Sequence, residues 1–131
     1  MDIPLKYTIQ KTGLPLIVTS SKPHLCFLVD SGSTHNIIFS YVINTLNEVN
    51  PIDNTISITG ITGNVMESKQ IEYCVTFNET WYAATWSIVN VPQSIMHLQN
   101  ETGVQVHGIL GVPFLTQNKW IIDFKNLIIS Q

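Results

Sequence analysis

The stretch CFLVDSGSTHNII, residues 26–38, runs apolar, offers an acid, two hydroxyls and a glycine, then turns apolar again. Phe27, Leu28 and Val29 favour extended backbone, and a short apolar run bounded by a turn reads as a core strand. Asp30-Ser31-Gly32-Ser33 supplies the turn, because glycine tolerates positive φ and short polar side chains bond nearby backbone. A carboxylate placed at the end of a buried strand is costly unless it is bonded, paired or neutralised. Any strand-to-loop junction can end in Asp and Gly, so the tetrapeptide has to be weighed with the rest of the chain.

The remaining composition narrows the setting. With 131 residues, 44% hydrophobic and only 11% charged, the chain suits one folded domain, residues 1–131, rather than a disordered one. The sparse charge leaves uncharged surface of the kind a subunit interface covers. Net charge is −3 and the six Lys and Arg are scattered singly, so there is no basic patch for nucleic acid and no polybasic anchor for a membrane. No apolar run approaches the roughly 20 residues of a membrane span. The opening MDIPLKYTIQ lacks the basic region and long apolar segment of a signal peptide, so with Met1 as the natural start a cytoplasmic protein is expected. Cys26 and Cys74 both fall in apolar, strand-like stretches and are expected to be free and buried. The four histidines share no ligand spacing with them, so no metal and no cofactor is expected. The Asn-Glu-Thr triplets at Asn78 and Asn100 are expected by chance in an Asn- and Thr-rich chain.

Read along the chain, alternation at Ile3, Leu5, Tyr7 and Ile9 predicts a half-buried strand, broken at Thr12-Gly13. Strands follow at residues 14–20, 24–29 and 36–39. SYVINTLNEV, residues 40–49, predicts a short helix with Ser40 as N-cap, Val42, Leu46 and Val49 on one face, and Pro51 closing it. Residues 55–77 predict a long hairpin with its tip at Gly60-Ile61-Thr62-Gly63. Residues 81–91 read as another strand and residues 92–107 as polar and irregular. Then come Gly108-Ile109-Leu110-Gly111, a helical turn, and a closing hairpin over residues 120–130. The pattern predicts a mostly β domain with one or two short helices. FLVDSGSTHNIIFSYVI and HGILGVPFLTQNKWIIDF share a weak echo: aliphatics, a glycine turn, an irregular stretch, then an aliphatic strand.

These pieces together resemble the retropepsin-like aspartic proteases, the half-sized relatives of pepsin. The resemblance rests on Val29-Asp30-Ser31-Gly32-Ser33, matching hydrophobic-Asp-Thr/Ser-Gly, on the hairpin tip at residues 60–63, matching the flap, and on Gly108-Ile109-Leu110-Gly111 before the C-terminal helix. They occur in the right order, and residues 3–130 fall inside the pattern.

The resemblance implies a closed β-barrel of the acid-protease type and hydrolysis of peptide bonds by a water activated between two carboxylates that share a proton. Only one Asp-Ser-Gly is present, and Asp2, Asp53 and Asp123 are read as lying in no comparable turn, so the second carboxylate is expected from a homodimer partner. It implies further that Asp30 is catalytic and that Ser31 braces the partner's loop. Gly32 lets backbone approach the water, Ser33 bonds the outer carboxylate oxygen, and Ile109, Leu110 and Gly111 cradle the loop. Gly60, Ile61, Thr62 and Gly63 would then cover an extended polypeptide substrate and bond its backbone. The alternative is a domain of the same fold that dimerises or binds peptides without cutting, and a peptidase assay separates the two. A serine hydrolase fits less well, since Ser33 lies in no Gly-x-Ser-x-Gly, and the glycine pairs at 60–63 and 108–111 are too incomplete for nucleotide binding.

Overall fold

The structure, a computed structural model, describes residues 1–46, 49–59 and 65–131, without the side chain of Asn54. It is mostly β. A seven-stranded sheet runs in the order β2-β3-β8-β4-β7-β6-β5, and a three-stranded sheet in the order β1-β10-β9. The strands are β1 (Asp2–Pro4), β2 (Leu16–Val18), β3 (Cys26–Val29), β4 (Ile37–Phe39), β5 (Asn50–Thr59), β6 (Val65–Phe77), β7 (Thr80–Val89), β8 (Gly108–Leu110), β9 (Ile121–Asp123) and β10 (Ile128–Ser130). Neither sheet closes on itself among the described residues. The turn after β2 nevertheless reaches β6: the Ser20 N–H donates to the Thr76 carbonyl at 2.9 Å and the Ser21 N–H to the Thr76 hydroxyl at 3.0 Å.

Alternation explains the long strands. In β7, Tyr82, Ala84 and Trp86 are buried while Trp81, Ala83 and Thr85 are exposed, as a strand covered on one face requires. The buried rings pack on one another and on α3 (Val112–Gln117). Phe27 stacks on Trp86 at 5.1 Å between centroids, and Phe114 meets Trp120 edge-on at 5.0 Å. Such geometries follow the ring quadrupole.

Several sequence expectations are corrected. Residues 3–9 are not one strand: β1 ends at Pro4, and α1 spans Lys6–Thr12. Leu5 and Ile9 also fit one helical turn, and Tyr7, which a strand would have half-buried, is 71% exposed. Gly13 ends α1 at φ 78, the left-handed conformation that glycine adopts without penalty. Residues 92–107 contain α2 (Gln93–Thr102), stopped the same way at Gly103. Its Gln, Met, Leu and Glu residues favour a helix, and Ile95 is the residue it buries. The predicted helix at residues 40–49 shrinks to a 3₁₀ helix at Ser40–Thr45. The Ser40 hydroxyl does not cap it but donates to Asn90 Oδ1 at 2.8 Å. Pro51 lies inside β5, an edge strand where a missing N–H is tolerated. Among the described residues three α-helices and a 3₁₀ helix therefore replace the expected one or two. Cys26 is buried, and burial pushes its thiol up to about 11, but Cys74 is exposed. No helix among the described residues is long and apolar enough to cross a membrane.

Candidate active site

The turn after β3 is tied down from both sides. The Val29 N–H donates to the Pro15 carbonyl and the Asp30 N–H to the Leu110 carbonyl, each at 3.0 Å. Asp30 Oδ1 accepts the Gly32 N–H at 2.8 Å, and the Asp30 carbonyl accepts the Ser33 N–H at 3.1 Å. These two bonds close the turn on the carboxylate's own stem, so the side chain is aimed by backbone rather than left to rotate. Ser31 and Gly32 are exposed and Asp30 is half-buried.

β8 is threaded between the two arms of this turn. It runs parallel to β3, with Val29 opposite Leu110 and Leu28 opposite Ile109, and antiparallel to β4, with Ile37 also opposite Ile109. That crossing is tight. A Cβ on Gly108 would overlap the Ile37 carbonyl oxygen and stand 2.9 Å from the Phe27 ring. One on Gly111 would overlap the His35 carbonyl oxygen and stand 2.8 Å from that of Ser33. Both glycines are required by close approach of backbone to backbone. The Ser33 carbonyl in turn accepts the Val112 N–H at 2.8 Å. The structure thus places the turn Asp30-Ser31-Gly32-Ser33 beside Ile109, Leu110 and Gly111.

Ser33 differs from the sequence reading. Its hydroxyl donates to the His35 carbonyl at 2.7 Å rather than to the Asp30 carboxylate. Asp123 differs as well, since it does sit in a turn. It accepts the N–H groups of Lys125 and Asn126 at 2.9 Å each and the Asn126 amide at 2.8 Å, and the Asn126 bonds hold its carboxyl below the usual range. Gly60, Ile61, Thr62 and Gly63 lie outside the described residues. The arms that lead to them are paired as far as Thr59 opposite Val65.

Two residues outside the expected site set, Asn36 and His107, hold the site. Asn36, 5% exposed, accepts the N–H groups of Gly111 at 3.2 Å and Phe114 at 3.1 Å through Oδ1, and donates Nδ2 to the Thr85 carbonyl at 3.2 Å. It serves as the missing cap of α3, whose own N-cap position, Gly111, has no side chain to offer. The available signal was a primary amide directly before the apolar Ile37-Ile38-Phe39, since an amide buried there must be bonded at both ends. His107 precedes β8 and accepts the Cys26 N–H on Nδ1 at 2.8 Å, while its own N–H donates to the Cys26 carbonyl at 2.8 Å and its carbonyl accepts the Phe39 N–H at 2.9 Å. Burial lowers the pKa of this ring.

Among the described residues no group of three His, Cys, Asp or Glu side chains is placed to hold a metal ion. A groove of about 620 Å³ lies elsewhere, on the outer face of β6 and β7, lined by Lys22, Glu72, Cys74, Trp81 and Thr85 among others. No protein-family model and no curated protein matches the chain.

Proposed function

We propose that the chain is one half of an aspartic endopeptidase of the retropepsin type, which cuts polypeptides as a homodimer. The observation that carries this reading is the Asp30 turn, pinned to Leu110 and closed by Gly32 with its face exposed, while β8 and Gly111 lock both of its arms. A carboxylate built this rigidly has a task that a loose surface acid does not. Two copies related by a two-fold present two such carboxylates to one water. One takes the proton from the water, and the other delivers a proton to the departing nitrogen.

Asp123 is the other turn-bound acid described, but its bonds are spent inside its own hairpin, so it does not compete for the role. The bonds from Ser20 and Ser21 to Thr76 support the closed-barrel form of the fold. β5 and β6 are the arms of the flap, covering an extended peptide that adds to the sheet as a strand.

The test is Asp30→Asn, assayed for hydrolysis of a peptide library from acid to neutral pH beside wild type. Asn keeps the acceptor for the Gly32 N–H, so folding survives while hydrolysis falls to background. Hydrolysis retained by the purified variant rejects the mechanism, and inactivity of both proteins favours the silent domain.

A further inference from the structure

His107 fastens β8 before it enters between β3 and β4. Its N–H donates to the Cys26 carbonyl at 2.8 Å and its carbonyl accepts the Phe39 N–H at 2.9 Å, bonds that most residues could make there. The third bond belongs to the side chain: Nδ1 stands 2.8 Å from the Cys26 nitrogen. A backbone N–H donates and never accepts, so Nδ1 is the acceptor and the neutral ring carries its proton on Nε2. A second proton goes to Nδ1 itself, and the imidazolium then sets N–H against N–H, which breaks the bond. The elements around the ring hold little that would receive its charge. β4 and β8 have no titratable residue, and β3 has Cys26. The 3₁₀ helix has Tyr41, whose ring lies 6.3 Å from the imidazole between centroids and whose hydroxyl donates to the Val106 carbonyl. α2 reaches this corner through Gln99, which accepts the Val106 N–H at 2.8 Å, while its charged residues, His97 and Glu101, are exposed and pair with each other at 3.0 Å. Burial pushes the Cys26 thiol up to about 11 and raises Tyr41 as well, so both stay neutral while the imidazole titrates.

We propose that His107 is a proton-operated latch on the Asp30 turn: one proton taken up at Nδ1 frees the start of β8 from β3, and the turn, which hangs on β8, loses its alignment. β8 is three residues long, Gly108–Leu110, so its first anchor and the bond from the Asp30 N–H to the Leu110 carbonyl lie within about 10 Å of each other along the strand. Val112, just beyond, donates its N–H to the Ser33 carbonyl at 2.8 Å, so both arms of the turn depend on where β8 sits. His107 acts through β8 and is a positioning residue, not a catalytic one. The consequence for catalysis rests on the protease reading. In that reading the acid limb of hydrolysis is set by the imidazole, at a higher pH than the carboxylate pair alone would give.

An NMR titration of the wild-type protein through the histidine range tests the latch. The His107 ring should titrate below about pH 6.5, and the amides of Cys26 and Asp30 should shift with the same midpoint. One pH unit below that midpoint about nine-tenths of the molecules carry the proton, so protection of the Cys26 amide, corrected for its intrinsic exchange rate, should fall by roughly tenfold or more. Ile129, fully buried in β10, should keep its protection. His107→Asn keeps an acceptor for the Cys26 N–H and takes up no proton. In that variant the Cys26 shift should vanish, and the Asp30 amide should follow its own carboxyl alone. A ring that titrates without moving the Asp30 amide overturns the latch. So does a loss of protection at Ile129 with the same midpoint, which is global unfolding. Where the Asn variant does not fold, the wild-type titration decides. Peptide hydrolysis is followed over the same range, and its acid limb should coincide with the ring's midpoint in wild type and move to lower pH in His107→Asn. Coupled titration without hydrolysis leaves the latch standing and removes the protease reading, whereas hydrolysis with an acid limb that the substitution leaves in place does the opposite.

Discussion

Asn36→Ala is the substitution through which the site's architecture can be weighed. It removes the acceptor of two backbone N–H groups, those of Gly111 and Phe114, at a place where Asn36, Gly111 and Phe114 are all buried. It also removes the donor to the Thr85 carbonyl. An orphaned buried donor costs about 1–3 kcal/mol, so the two N–H groups together cost roughly 2–6 kcal/mol. The Thr85 carbonyl loses its side-chain donor as well. Against a total stability of about 5–15 kcal/mol for a domain, the loss is a large fraction. Urea unfolding should show the midpoint falling with the slope unchanged. Asn36→Asp keeps an acceptor for both N–H groups at a helix N-terminus, where negative charge is favoured, and should retain more stability than the alanine variant at neutral pH. A loss below about 1 kcal/mol for Asn36→Ala would falsify the view that one amide carries the junction of α3 with the Asp30 loop.

Two further outcomes follow from the same geometry. Gly111→Ala presses a methyl into the carbonyls of His35 and Ser33, which are backbone and cannot rotate away. It should cost about 1–3 kcal/mol or more and abolish hydrolysis even where the thermal transition survives, as seen by calorimetry beside a peptidase assay. A fully active variant contradicts the close packing. His107 is held neutral, with burial lowering its pKa, whereas the unfolded chain takes up the proton near the ordinary value of about 6.5. The unfolded state therefore binds more protons as pH falls, so this contribution to stability is full above about pH 6.5 and is lost progressively below it. His107→Asn, which keeps an acceptor for the Cys26 N–H, should flatten that part of the curve of stability against pH. An unchanged slope removes His107 as its source.

Local chemistry made part of this protein readable from its residues. The Asp30 turn, the strands β6 and β7 and the closing hairpin each depend on neighbours a few positions away, and the structure has them where the sequence implies. α1 and α2 were not readable in that way. The alternation of Ile3 and Leu5 continued by chance into a helix, and α2 offers only Ile95 and Leu98 as an apolar stripe among polar residues, of which Ile95 is buried. The partners of Asn36 were beyond reach for the same reason, since Gly111 and Phe114 are distant in sequence and meet it only when β8 slides between β3 and β4. The turn from Ser33 to His35 shows the limit most sharply. The sequence determines that a hydroxyl stands beside the carboxylate, but which acceptor it takes depends on where tertiary packing sets the His35 carbonyl, and hydrogen bonds are decided in tenths of an ångström.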